Sequence, residues 1–176
     1  MNSKPTSLAF KKLSKRLQRN TGKAIADIIA ITKEVATNDK ITGLVISSGK
    51  PSGFCAGADL GEMNESAGGG KSPSEMSEAE LKAAQFERGF ALNKTLRELE
   101  TCGKPVAVAL NGLALGGGLE VALAGHYRVA ANDNPKIQFG LPEAKIGLLP
   151  GAGGTQRLPR RLHSRRGEAA GRTDAP

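Results

Sequence analysis

Ile25, Ile28, Ile29 and Val35 recur at helical spacing and predict a helix over about residues 22–37. Asn38-Asp39 breaks that pattern. Ile41 to Ser47 is short and rich in β-branched residues, which predicts a buried strand. A Gly/Pro/Ser turn follows from Ser48 to Gly53. Residues 64–77 are polar and rich in Gly and Ser, and predict a mobile loop. Glu78 to Glu100 has helical composition, with Leu81, Leu92, Leu96 and Leu99 on the apolar side. Cys102-Gly103-Lys104-Pro105 ends that helix. Val106 to Leu110 reads as a second buried strand, and Asn111-Gly112 turns the chain. Gly117 to Ala124 reads as a buried helix entered through glycines. Tyr127 to Ala131 and Ile137 to Phe139 predict two more short strands around a turn at Asn132-Asp133-Asn134-Pro135. Strands alternating with helices predict a layered α/β domain.

Composition narrows the function classes. The 176 residues have room for one domain with a real core. With no Trp and one Tyr, aromatic platforms for stacking bases are nearly absent. Cys55 and Cys102 are too few for a disulfide framework and lack metal-site spacing. They suit a reducing compartment, so the expected location is cytoplasmic. No apolar run reaches membrane-spanning length. The net charge of +8 sits at the ends. Lys4, Lys11, Lys12, Lys15, Arg16 and Arg19 have no acid among them in residues 1–20, and six arginines face Glu168 and Asp174 in residues 157–176. Such ends read as solvated tails rather than a nucleic-acid surface. The first is Lys-rich rather than Arg-rich, which argues against a transit peptide.

The candidate chemistry lies with two carboxylates in glycine-rich surroundings. Glu120 ends Leu115-Gly116-Gly117-Gly118-Leu119-Glu120, and Glu143 ends Phe139-Gly140-Leu141-Pro142-Glu143. A charge entering an apolar segment costs free energy unless it is solvated, paired or used. Two such groups can act as a general acid and base on one substrate. The glycines before Glu120 open a helix, whose first N–H groups have no internal partner. That end can hold a phosphate or a developing oxyanion. The dinucleotide fingerprint is not met, because no third correctly spaced glycine follows. An acid two residues past Gly118 would repel a phosphate, but it suits proton transfer beside an oxyanion. A second glycine turn, Gly57-Ala58-Asp59, offers another N–H. Asp59 reads most simply as a helix-start cap.

Three other features read as structural. Gly68-Gly69-Gly70-Lys71-Ser72 mimics a phosphate loop, but Glu65 stands where its first glycine belongs. His126 and His163 have no ligand constellation, and His126 reads as a structural residue between helix and strand. Cys55 has no paired base and reads as packing.

Taken in order, the segments Ile41 to Ile46 with Phe54 to Leu60, Lys104 to Glu120, and Phe139 to Leu158 resemble the enoyl-CoA hydratase/isomerase, or crotonase, superfamily. The nearest likeness is to the hydratase domain of multifunctional fatty-acid-oxidation α subunits. The resemblance implies a spiral of repeated ββα units. It implies an acyl-CoA thioester partner and no separate cofactor or metal. Backbone N–H groups of Ala58 and Gly117 would form the oxyanion hole, and Asp59 and Leu60 would run past the adenine end of CoA. Glu120 and Glu143 would deliver water across a trans-2-enoyl-CoA to give a 3-hydroxyacyl-CoA. Glu143 would protonate the α-carbon while Glu120 orients water. Two acids favour hydratase over isomerase. A non-catalytic acyl-CoA-binding fragment is the reading from another class. Family members form homo-oligomers or multifunctional complexes.

Both ends depart from the family pattern. No strand precedes the first helix, and beyond Pro159 the chain lacks a helical apolar stripe. The resulting expectation is a truncated, partial crotonase-like domain over 22–162, incomplete at both ends. It would be flanked by a poorly ordered basic segment at 1–21 and a disordered basic tail at 163–176.

Overall fold

The computed structural model describes residues 21–50, 53–57 and 73–170. Helix α1 covers Thr21–Thr37. Three strand–strand–helix units follow. The first comprises β1 (Leu44–Ser47), β2 (Gly53–Cys55) and α2 (Glu78–Glu100). The second comprises β3 (Val106–Leu110), β4 (Leu113–Leu115) and α3 (Gly117–Ala124). The third comprises β5 (Tyr127–Ala130), β6 (Phe139–Gly140) and α4 (Gly154–Ala170). Single 3-10 turns lie at Pro73–Glu75 and Glu143–Ile146.

The first strand of each unit joins one sheet, in the order β1-β3-β5, and the second joins another, β2-β4-β6. Every pairing is parallel, with Leu44 opposite Val106, Ala107 opposite Tyr127 and Gly53 opposite Leu113. Parallel neighbours need a crossover. Each unit therefore advances the chain by one strand in both sheets, and its helix brings the chain back. This is an α/β spiral of ββα units, as the resemblance implied.

The core follows from alternation along the first sheet. Leu44 and Ile46 of β1, with Val106, Val108 and Leu110 of β3, point inward and are buried. Leu96 and Leu99 of α2 close over them, essentially without exposure. A capping box starts α2. The Ser77 N–H donates to Glu80 Oε2 at 2.8 Å, and the Glu80 N–H donates to Ser77 Oγ at 3.3 Å. Helix α1 packs on α2, α2 on α3, and α3 on α4.

Three differences from the sequence reading have physical causes. Strand β4 was not anticipated. Its three residues carry no length signal, and its bonds come from distant partners: the Ala114 N–H donates to Gln138 O at 2.9 Å, and the Gly116 N–H to Gly140 O at 3.0 Å. The expected loop over 64–77 lies partly outside the described residues, and its end is the Pro73–Glu75 turn and the Ser77 cap. The expectation of a disordered tail from residue 163 is corrected as far as Ala170, because α4 runs to that residue with Pro159 inside it. Polar docking substitutes for an apolar stripe there. Arg157 donates to Glu100 and to Ala152 O, and Arg161 Nη2 donates to Gly125 O at 3.1 Å. Ala152 and Leu158 add apolar contact with the core. Some apolar surface stays exposed nearby, at Phe139, Ile146, Leu148 and Leu149.

Candidate functional site

The second unit supplies the floor of the site. Gly118 lies against β2, where a Cβ would stand 2.3 Å from Cys55 O. Only glycine permits that approach, and it draws the start of α3 beside the end of β2. Gly116 is the N-cap of α3, with φ +52°, and provides no side-chain cap. The leading N–H groups of α3, Gly117 among them, therefore have no helical acceptors. The backbone of Gly57 abuts them, since a Cβ there would lie 3.6 Å from Gly117 N. The two glycine turns singled out in the sequence thus meet in space.

The carboxylates come from the second and third units. Glu120 lies in the first turn of α3 and is only 3% exposed. Its Oε1 accepts the Gly154 N–H at 2.8 Å. Burial pushes its carboxyl above the usual range, and the neighbouring Glu143 charge adds to the rise. The backbone at Gly154 and Ala152, and the Arg157 charge, oppose this without cancelling it. Glu143 opens the 3-10 turn after Pro142. Its Oε1 lies 3.2 Å from where a Gly116 Cβ would be, so the glycine leaves the space this carboxylate occupies. Glu143 Oε2 is buried with no hydrogen-bond partner among the described residues. A buried acceptor in that condition is an open position for a donor. The assembly offers helix-start N–H groups without helical acceptors, a Glu120 carboxyl inclined to hold a proton and, on Glu143, an acceptor without a partner among the described residues.

Glu120, Glu143 and Gly117 are therefore brought together. Ala58, Asp59 and Leu60 lie outside the described residues, as does the phosphate-loop look-alike at 68–72. His126 ties helix to strand as expected. Its Nδ1 accepts the Val106 N–H at 2.9 Å, so Nε2 carries the hydrogen and donates to Glu100 O at 3.0 Å. Cys55 is buried against Gly118.

The sequence reading missed the groups behind Glu120. The turn from Gly151 to Gly154 packs on this carboxylate on one side. On the other it is held by Asn93 Nδ2, which donates to Gly151 O, and by Arg157 Nη1, which donates to Ala152 O at 2.6 Å. Three glycines in the four residues of that turn were the available signal. Among the described residues, no helix is long and apolar enough to cross a membrane.

Residues 4–171 match the enoyl-CoA hydratase/isomerase family. The chain belongs to that family. It is 44% identical over 136 residues to the fatty acid oxidation complex subunit alpha of Shewanella amazonensis, a match covering 76% of this chain and 17% of the relative. DspI of Pseudomonas aeruginosa superposes with a TM-score of 0.62 at 34% identity, over 78% of this chain and 46% of that one. An enoyl-CoA hydratase from Bacillus anthracis gives 0.66 at 30% identity, over 86% and 54%. The chain thus spans a minor part of its curated relatives and about half the length of these two solved structures. The paired sheets and repeated units are those of the crotonase spiral.

Proposed function

We infer that this hydratase/isomerase-family site adds water to a trans-2-enoyl-CoA to give a 3-hydroxyacyl-CoA. The observation that carries the reading is the convergence of Glu120 and Glu143 on the glycine-lined start of α3. In this reading the thioester oxygen lies against the N–H groups of Gly117 and Ala58. Polarised there, the β-carbon accepts the water oxygen while the water's proton passes to Glu143, whose Oε2 is a buried acceptor without a partner among the described residues. The electrons move onto the thioester oxygen as an enolate, and the α-carbon then takes a proton as the carbonyl reforms. Glu143 delivers that proton and Glu120 orients the water. Asp59 and Leu60 run beside CoA. An isomerase needs only one acid shuttling a proton between two carbons, so two neighbouring carboxyl groups favour hydration.

The test is crotonyl-CoA hydration by purified protein, followed as loss of the enoyl thioester. Turnover in the native chain, abolished in Glu143→Gln, supports the reading. Saturable CoA-ester binding without turnover would instead favour a binding module, and double-bond migration of a 3-enoyl-CoA would favour an isomerase.

A further inference from the structure

The geometry points to Arg157, clamped by Glu100, as a positioning residue that holds Glu120 in its working orientation by fixing the turn from Gly151 to Gly154. The inference rests on the hydratase reading for its kinetic consequence, though not for its structural one.

The turn has little of its own to hold it. Gly153 has φ +95°, and Gly151, Gly153 and Gly154 bring no side chains. Its shape is imposed from outside. A Cβ on Gly153 would collide with Arg157 Nη1 and approach Asn93 Oδ1, so the guanidinium and the amide lie close against the backbone there. Arg157 Nη1 donates to Ala152 O at 2.6 Å. The remaining nitrogens are occupied by Glu100, with Nε to Oε1 at 2.8 Å and Nη2 to Oε2 at 3.1 Å. This two-pronged ion pair is mostly enclosed, the side chains being 11% and 19% exposed. Its planar fork fixes direction as well as distance, which a lysine cannot do. Across the turn, the Gly154 N–H donates to Glu120 Oε1. A continuous chain of contacts therefore runs from α2 through Arg157 and the peptide of the turn to the buried carboxylate. Arg157 meets Glu120 only through this backbone and through its charge. Glu143 is the other charged group that bears on Glu120.

Arg157→Met, Arg157→Lys and Glu100→Gln are compared with Arg161→Met. The last also disturbs α4 docking, through its hydrogen bond to Gly125 O. In Arg157→Met, kcat for crotonyl-CoA hydration is expected to fall about 10–100-fold with KM little changed, as for loss of a group that orients a working ligand. Arg157→Lys should recover part of that loss, and Arg161→Met should stay near native. Independently of any activity, amide hydrogen exchange at Gly154 should accelerate in Arg157→Met while Ala122 within α3 keeps its protection. The proposal is overturned if folded Arg157→Met keeps native Gly154 protection, or if protection falls equally throughout α3. Should Arg157→Met fail to fold, Arg157→Lys and Asn93→Ala carry the same exchange comparison. A native chain that does not hydrate crotonyl-CoA sinks the hydratase reading and leaves the exchange result to judge the positioning.

Discussion

Glu120 rises from a helix with no exposed residue, whereas Glu100 ends a helix whose last turn is partly open to solvent. Both meet the beginning of α4, yet their surroundings act in opposite directions. At Glu100, burial alone would raise the carboxyl, but hydrogen bonds and charge from Arg157 and Arg97 outweigh it and hold it below the usual range. At Glu120, burial dominates, the neighbouring Glu143 charge adds to it, and only neutral backbone hydrogen bonds at Gly154 and Ala152 and the more distant Arg157 charge oppose them. The scaffold glutamate is stabilised as an anion, and the site glutamate is kept ready to hold a proton. The same arginine serves both, by direct contact in one case and through a peptide in the other.

The largest expected effect that tests this division is kinetic. Glu120→Gln and Glu143→Gln should each lower crotonyl-CoA hydration by about 10²–10⁴-fold, the usual contribution of a positioned acid or base. Glu100→Gln should act mainly on the fold and cost about 1–3 kcal/mol in urea unfolding, through weakened charged hydrogen bonds. An unchanged unfolding midpoint in Glu100→Gln would remove the scaffold half of the comparison.

The pH dependence should have opposite signs. A carboxyl raised on folding, like Glu120, binds its proton more tightly in the native state. Its favourable contribution is complete below the unfolded value near 4.5 and is lost as pH rises through the higher folded value. Glu120→Gln keeps an oxygen for the Gly154 N–H and should therefore be more stable than native at neutral pH. That advantage should fade in acid. A carboxyl lowered on folding, like Glu100, contributes above the unfolded value, and its contribution is lost as pH falls through the lower folded one. Urea midpoints across pH 3–8 for both glutamine variants are the measurement; parallel curves would contradict the contrast. The smallest effect is a control remote from both glutamates. Ser77→Ala removes one half of a capping box and should cost about 1 kcal/mol without changing either pH profile.

Much of the fold was legible in the sequence, for reasons visible in particular residues. Helix α2 was readable because Leu81, Leu92, Leu96 and Leu99 mark its apolar side and Cys102-Gly103-Lys104-Pro105 ends it; its Ser77 cap lay in what read as loop. Strand β3 showed itself as an apolar run between Pro105 and Asn111-Gly112. Strand β4 did not, because its hydrogen bonds are made with β6 and its three residues are too few to show a period. Glu120 and Glu143 stood out because an acid beside glycines and apolar residues is anomalous, whatever lies around it. Arg157 did not stand out, because a basic residue in a basic stretch carries no anomaly. Its partner Glu100 is distant along the chain, and only the fold brings the two together.

The units of the spiral each give the site one piece. Gly57 comes from the first, the start of α3 from the second, and Glu143 with the Gly154 N–H from the third. Leu44 must find Val106, and Gly53 must find Leu113, before any of these are neighbours. Pairings so far apart in sequence make for slow folding, because loop closure comes before the contacts that reward it. No fragment ending before Gly154 contains the Glu120 clasp. During synthesis the Gly154 hydrogen bond to Glu120 can form only after that residue has left the ribosome, so this part of the candidate site is completed by the last of the described units.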